Sequence, residues 1–209
     1  MERPILFNTE MTKAILEGRK TQTRRIVKPQ PKESHTCKLG FILNSTDKSR
    51  KGNFAWGTNE HGGVMSIAKP PCQVGDTLWV RETWCRGHAR NGDNKTIYKA
   101  DIEELLQPMH QWKPSIHMPR KYARIFLKVT DVRVERLQDI TEAAAIKEGC
   151  RGIECKKKHD YTKDERCGYC DNSGYIETPQ IEFINLWDSI YSNWDDNPWV
   201  WVIEFERMV

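Results

Sequence analysis

Ala123-Arg124-Ile125-Phe126-Leu127-Lys128-Val129-Thr130-Asp131-Val132-Arg133-Val134-Glu135-Arg136-Leu137 is the stretch from which the fold of this 209-residue chain is read. β-Branched and aromatic residues run through it, which predicts a long strand. Asp139 to Gly149 follows as a short helix. Thr141 is placed to cap it, Ala143 to Ala145 favour helical backbone, and Gly149 is placed to end it. A strand feeding directly into a helix makes this a mixed chain.

Working outward, Pro4 to Phe7 reads as a strand. Asn8 or Thr9 caps a helix with Met11, Ala14 and Ile15 on one face, closed at Gly18. Arg19 to Arg25 is expected to be a loop. Lys28 to Pro71 is polar and rich in Gly and Pro, which predicts long loops or irregular hairpins. Val74-Gly75-Asp76 is a turn, Thr77 to Trp84 a strand, Arg86 to Asn94 a loop and Ile102 to Gln107 a helical turn. Thr178-Pro179 opens another helix with proline at its first position, and Pro198 to Arg207 closes the chain as a strand. Strands and helices do not alternate regularly, so antiparallel pairing is expected.

Eight Trp, six Tyr and six Phe supply a core and exclude a disordered chain. No stretch approaches the ~18 apolar residues of a membrane-spanning helix, and the first residues lack the apolar run of a secretory signal. A cytoplasmic protein without a membrane partner is expected. The formal net charge of +4 is unevenly placed. Glu17 to Lys28 alone is basic, with Arg19, Lys20, Arg24, Arg25 and Lys28 against one acid. From Pro179 onward Glu182, Asp188, Asp195, Asp196, Glu204 and Glu206 face Arg207 alone. Arg19, Arg24 and Arg25 are therefore candidate contacts for phosphate groups of a nucleic acid. Pro114 and Pro119 stiffen the segment between them and present Ser115, His117 and Arg120 to a ligand. Arg120 suits a phosphate there, and His117 suits stacking on a base.

Four landmarks occur in order: Gly18-Arg19-Lys20-Thr21-Gln22-Thr23-Arg24-Arg25, Val74-Gly75-Asp76-Thr77-Leu78-Trp79-Val80-Arg81-Glu82, Val129 to Gly149, and Trp199 to Phe205. In these the chain resembles the ASCH family, a branch of the PUA-like β-barrels associated with RNA. It is most similar to ASCH proteins of bacteriophages and prophages, which share Pro-Ser-Ile-His-Met-Pro-Arg. For a phage-encoded member the location implied is the host cytoplasm. The resemblance covers roughly residues 3–30, 72–85, 113–150 and 180–208. It implies an α+β fold: one domain over residues 1–209, a small PUA-like β-barrel flanked by two or three helices, with a loop-rich insertion at 31–70.

The family's small bacterial members include an amidohydrolase of N4-acetylcytidine that uses a lysine, a threonine and a glutamate. Matched residue by residue, these fall on Lys20, Thr23 and Glu148. The resemblance implies a hydroxyl nucleophile at Thr23, a proton acceptor at Lys20, and Glu148 orienting the lysine or handling the leaving amine's proton. Two alternatives stand beside hydrolysis: a non-catalytic module for RNA or single-stranded DNA, and a nuclease. No metal-binding carboxylate cluster is evident for the latter.

Seven cysteines without an export signal point to thiols or metal ligands before disulfides. Cys150, Cys155, Cys167 and Cys170 have the spacing C-x4-C-x11-C-x2-C. Cys167-Gly168-Tyr169-Cys170 with the following Asp-Asn-Ser-Gly resembles a zinc knuckle. The lysine-rich segment 150–178 has little hydrophobic material of its own, so a structural zinc ion is expected to staple it. His159 is the alternative to Cys150 as fourth ligand. Four protein ligands leave no open position, so such an ion is structural and no cofactor is required for catalysis. Cys37, Cys72 and Cys85 are assigned to packing.

Overall fold

The computed structural model describes residues 1–61, 63–88, 94–102, 111–155 and 175–208. The fold is α+β. It has twelve strands and three α-helices among the described residues, with sheet predominating, and no closed barrel is formed among them. The strands are β1 (Glu2–Leu6), β2 (Gln22–Ile26), β3 (Cys37–Phe41), β4 (Phe54–Gly57), β5 (Met65–Ala68) and β6 (Thr77–Arg81). They continue with β7 (Trp84–His88), β8 (Asn94–Tyr98), β9 (Phe126–Arg136), β10 (Ile153–Glu154), β11 (Tyr175–Glu177) and β12 (Trp199–Arg207). The helices are α1 (Thr9–Leu16), α2 (Glu142–Lys147) and α3 (Pro179–Tyr191).

The main sheet has the order β1-β6-β9-β12-β2. It is mixed, which corrects the expectation of purely antiparallel pairing: β1 lies parallel to β6 from Glu2 opposite Thr77 to Leu6 opposite Arg81. The crossover between them contains the α1 segment, long enough to return the chain in the same direction. Helix boundaries follow the caps. Asn8 Oδ1 accepts from the Met11 amide at 2.8 Å, Thr141 from Ala144 and Thr178 from Ile181, each satisfying a donor that the first helical turn leaves without a partner. Gly18, at φ +75°, turns the chain out of α1 in a conformation that costs other residues strain.

The described residues form two compact units, each discontinuous in sequence: 1–21, 72–132 and 203–209 in the first, 22–71 and 133–202 in the second. The first buries Ile5, Phe7, Ile15, Leu78, Val80, Ile125, Leu127 and Phe205. Asp76 anchors its turn. Its carboxylate accepts from the Gln73 amide and Arg3 Nε at 3.0 Å each and from the Met1 amine at 2.7 Å. In the second, Val200 and Val202 pack with Leu137, Ile140, Ala145, Cys150, Phe183 and Trp187. Trp199 and Trp201 alternate with those valines and meet Trp56, at 6.1 and 6.5 Å between ring centres. Both faces of that part of β12 are therefore covered, which accounts for its unbroken apolar run.

Two segments expected to be loops are strands, and the irregular hairpins expected in the insertion are an antiparallel meander. Residues 22–26 form β2, although the sequence reads as a basic loop. The loop-rich insertion contains the antiparallel meander β3-β4-β5, held by a T-shaped Phe41–Phe54 contact at 5.1 Å and by buried Trp56. Trp84 to His88 and Asn94 to Tyr98 form the β7–β8 hairpin, where the sequence predicted a loop from Arg86. The expected helical turn at 102–107 lies outside the described residues beyond Ile102, and Ser115–His117 and Arg120–Tyr122 are short 3-10 turns.

Candidate functional site

The residues singled out for chemistry divide between the two units. Lys20 belongs to the first. Its amide donates to the Ala14 carbonyl at 3.0 Å, so the backbone that closes α1 also fixes this residue. Its side chain is 2% exposed, with Nζ 5.6 Å from the centre of the Phe7 ring. Thr23, 1% exposed, and Glu148, 4% exposed, belong to the second unit. Lysine and glutamate are rarely buried to this extent without a partner or a task. Glu148 sits at the C-terminal cap of α2, and Thr23 is the second residue of β2.

Within the second unit, a ladder of polar side chains spans β2, β9 and the end of α2. Arg24 donates through Nη1 to Glu148 Oε1 at 3.1 Å and through Nη2 to Glu135 Oε2 at 3.0 Å. Arg133 donates through Nε to Glu135 Oε1 at 2.7 Å and through Nη2 to Gln22 Oε1 at 3.3 Å. Gln22 and Arg24 are two apart on β2, as Arg133 and Glu135 are on β9, so strand alternation presents each pair on one face. Two positive and two negative charges balance in the ladder, and the Arg24 guanidinium also lies 5.7 Å from the Phe183 ring. Two buried donors, Gln22 Nε2 and Arg24 Nε, have no hydrogen-bond acceptor among the described residues. Such donors cost about 1–3 kcal/mol each when left unpaired.

Arg24 is thus an interior residue committed to two carboxylates, where the sequence pointed to a phosphate contact. Alternation along β2 places Thr23 and Arg25 on the opposite face from Arg24. The structure brings Arg24 to Glu148 directly. Arg19 pairs with Glu17 at 2.7 Å, and exposed Arg120 pairs with Glu2 through two hydrogen bonds at 2.9 and 3.0 Å. His117 is exposed on its 3-10 turn. Ser115 is half-buried there, and the Arg81 guanidinium holds the neighbouring Ile116 carbonyl.

The first unit contains a second charged centre that the sequence reading missed. Glu82, 1% exposed, accepts two hydrogen bonds at 2.9 Å from Arg124, through Nε and Nη2. Arg124 also donates to Asp101 at 2.6 Å and lies 3.9 Å from the centre of the Tyr98 ring. Burial pushes the Glu82 carboxyl up from its ordinary value, more than Arg124 draws it down. Burial alone would lower Arg124, but its bonds to Glu82 and Asp101 hold it above the usual arginine value. No motif announces this pair, because its partners are 42 residues apart in sequence.

Of the expected metal ligands, Cys167, Cys170 and the alternative His159 lie outside the described residues. Cys150 is buried in the apolar cluster between α2 and α3. Cys155 follows β10, whose antiparallel pairing with β11 brings residues 153–154 and 175–177 together and closes the segment between them. Cys72 and Cys85 are buried, in keeping with packing. Burial, with a smaller contribution from Asp76, raises the Cys72 thiol to about 11.

The chain matches no protein-family profile, no curated protein and no solved structure. Among the described residues, no helix is long and apolar enough to cross a membrane.

Proposed function

We propose that the protein is an ASCH-type, PUA-like domain that recognises a modified pyrimidine nucleoside, free or within RNA, and removes an acyl group from its N4 amine. The observation that carries this reading is the burial of Lys20, Thr23 and Glu148. Three residue types that ordinarily face water are all at least 96% covered, at the positions the family resemblance selects. In the step the resemblance implies, the Thr23 hydroxyl is the nucleophile towards the acyl carbonyl and Lys20 is assigned the role of proton acceptor. The bond from the acyl carbon to N4 breaks, the proton passes to the departing amine, and water then hydrolyses the threonyl ester. Arg24 keeps the Glu148 carboxylate oriented. Because Thr23 and Arg24 point to opposite faces of β2, Glu148 serves the site through charge and position, without contacting the nucleophile.

The test is incubation of wild type and Lys20→Ala with N4-acetylcytidine, following cytidine by chromatography. Turnover by the wild type alone supports the reading, and absence of turnover by either rejects the hydrolase.

We further propose a structural zinc ion in the 150–178 segment. The support is the cysteine spacing together with the β10–β11 stem, which closes the segment beside Cys155. Cys150, Cys155, Cys167 and Cys170 would hold the ion, with His159 as the alternative to Cys150. Metal analysis of protein purified without chelator should find about one equivalent of zinc, and none would overturn the proposal.

A further inference from the structure

We infer that the face of the β7–β8 hairpin bearing Trp84 and Arg86, with Lys113 and Lys121 beside it, is a docking surface for the phosphate backbone of a single-stranded nucleic acid. Trp84 and Tyr122 pack with ring centres 4.8 Å apart. Three exposed cations surround this pair: Lys113 Nζ at 5.1 Å from the Trp84 ring, Lys121 Nζ at 5.0 Å and Arg86 Cζ at 5.8 Å from the Tyr122 ring. These distances confine the three charges to a span of at most about 16 Å, a scale suited to neighbouring phosphates of one strand.

The placement is built into the backbone. Trp84 and Arg86 are two apart on β7 and so share a face. Lys113 is bridged to Trp84 by two main-chain hydrogen bonds, at 2.7 and 3.2 Å, and Lys121 belongs to the turn that delivers Tyr122. Cations laid on rings lose less freedom when they meet a ligand than solvated ones do.

Charge balance separates this surface from an ordinary polar face. Nearby, Arg124 is paired with Glu82 and Asp101, and Arg120 with Glu2. Arg86, Lys113 and Lys121 have no carboxylate partner among the described residues. Trp84 is buried and Tyr122 half-buried beneath them, so the rings support the cations and do not stack on bases. The surface therefore reads backbone charge without sequence preference. A lipid surface fits less well, since docking there needs apolar side chains free to insert.

None of these residues belongs to the proposed hydrolytic group, so binding and turnover can fail independently. The experiment is fluorescence anisotropy with labelled oligo(dT), oligo(U) and a DNA duplex between 50 and 300 mM salt. Vesicles containing phosphatidylserine form a further arm. Wild type should bind the single strands. The triple variant Arg86→Gln, Lys113→Gln, Lys121→Gln should lose affinity about 100-fold at 50 mM salt, and its slope of log affinity against log salt should be shallower by about 2. The charge-retaining triple variant Arg86→Lys, Lys113→Arg, Lys121→Arg separates loss of charge from loss of packing and should bind as wild type does. The inference is overturned if wild type binds no oligonucleotide, if the slope is unchanged in the glutamine variant, if the charge-retaining variant also loses binding, or if vesicles are bound in preference to single strands.

Discussion

Replacing Arg124 by Met isolates what a single guanidinium does for a buried carboxylate. Methionine retains a long flexible side chain to cover Tyr98 but donates nothing to Glu82, which stays 1% exposed with both oxygens deprived of their 2.9 Å partners. Removing one member of a buried pair costs about 3–5 kcal/mol because the remaining charge is uncompensated. Against a typical total stability of about 5–15 kcal/mol, a loss near 4 would move the urea midpoint well outside experimental scatter. The loss must also depend on pH. In the variant the Glu82 carboxyl is raised further above its unfolded value, because burial acts without opposition from Arg124. A raised acid contributes stability that is fully present below its unfolded pKa and disappears as pH rises through its folded pKa. The gap between wild type and variant should therefore be widest at pH 7 and narrow towards pH 5. Urea unfolding followed by tryptophan fluorescence at the two pH values reads it. The double variant Glu82→Gln, Arg124→Met should recover part of the loss at pH 7, since no buried charge remains. A loss below about 1 kcal/mol, or one equal at both pH values, would refute the reasoning.

Trp201→Ala should cost about 3–5 kcal/mol and alter the near-ultraviolet circular dichroism, because Trp201 lies 6.2 Å from Phe54 and 6.5 Å from Trp56 in a single aromatic group. Cys72, its thiol pushed up to about 11 by burial, should resist iodoacetamide at pH 8 in the native protein and react in urea; fast native labelling, read by peptide mass, would contradict its placement. Asn8→Ala should lower stability by about 1 kcal/mol through loss of the cap on α1, while Asn8→Ser should be close to neutral in the same melt. Asp76→Asn should flatten the acid limb of the stability curve. Burial would raise this carboxyl, but the Met1 amine, the Gln73 amide and Arg3 hold it below its usual range. The stability it contributes is present above the unfolded value and fades as pH falls through the folded one, which a series of melts between pH 5 and 2 would follow.

The elements legible in the sequence are those whose local chemistry and packing agree. Asn8, Thr141 and Thr178 announce the three helices, and Trp199 to Phe205 is apolar enough to read as a strand without further help. The segments that were missed are strands whose interior is polar or whose few anchors are widely spaced. Gln22, Thr23 and Arg24 look like solvent-facing residues, and only the carboxylates of Glu135 and Glu148, more than 100 positions away, explain why Arg24 is inside. In residues 31–70, Phe41, Phe54 and Trp56 hold the meander, and the Gly, Ser and Lys around them leave hairpins legible but not the bounds of their strands. The candidate site divides in the same way. Resemblance alone points to Lys20, Thr23 and Glu148, and only the fold shows that they are buried. The Arg24–Glu148 contact and the Glu82–Arg124 pair carry no local signature at all.

The central place of β12 in the main sheet, between β9 and β2, also bears on the timing of synthesis. β2 has no neighbour in that sheet other than β12, so a chain emerging from the ribosome carries Gln22–Ile26 for more than 170 residues before its pairing partner is made. Until then the polar interior residues of β2 remain in water, and the valine and tryptophan faces of the last strand do not yet exist to draw the helices and the meander together. Completion of this sheet therefore waits for residue 199 onward, and ribosome-bound chains halted before it should be far more open to protease than those extended past residue 207.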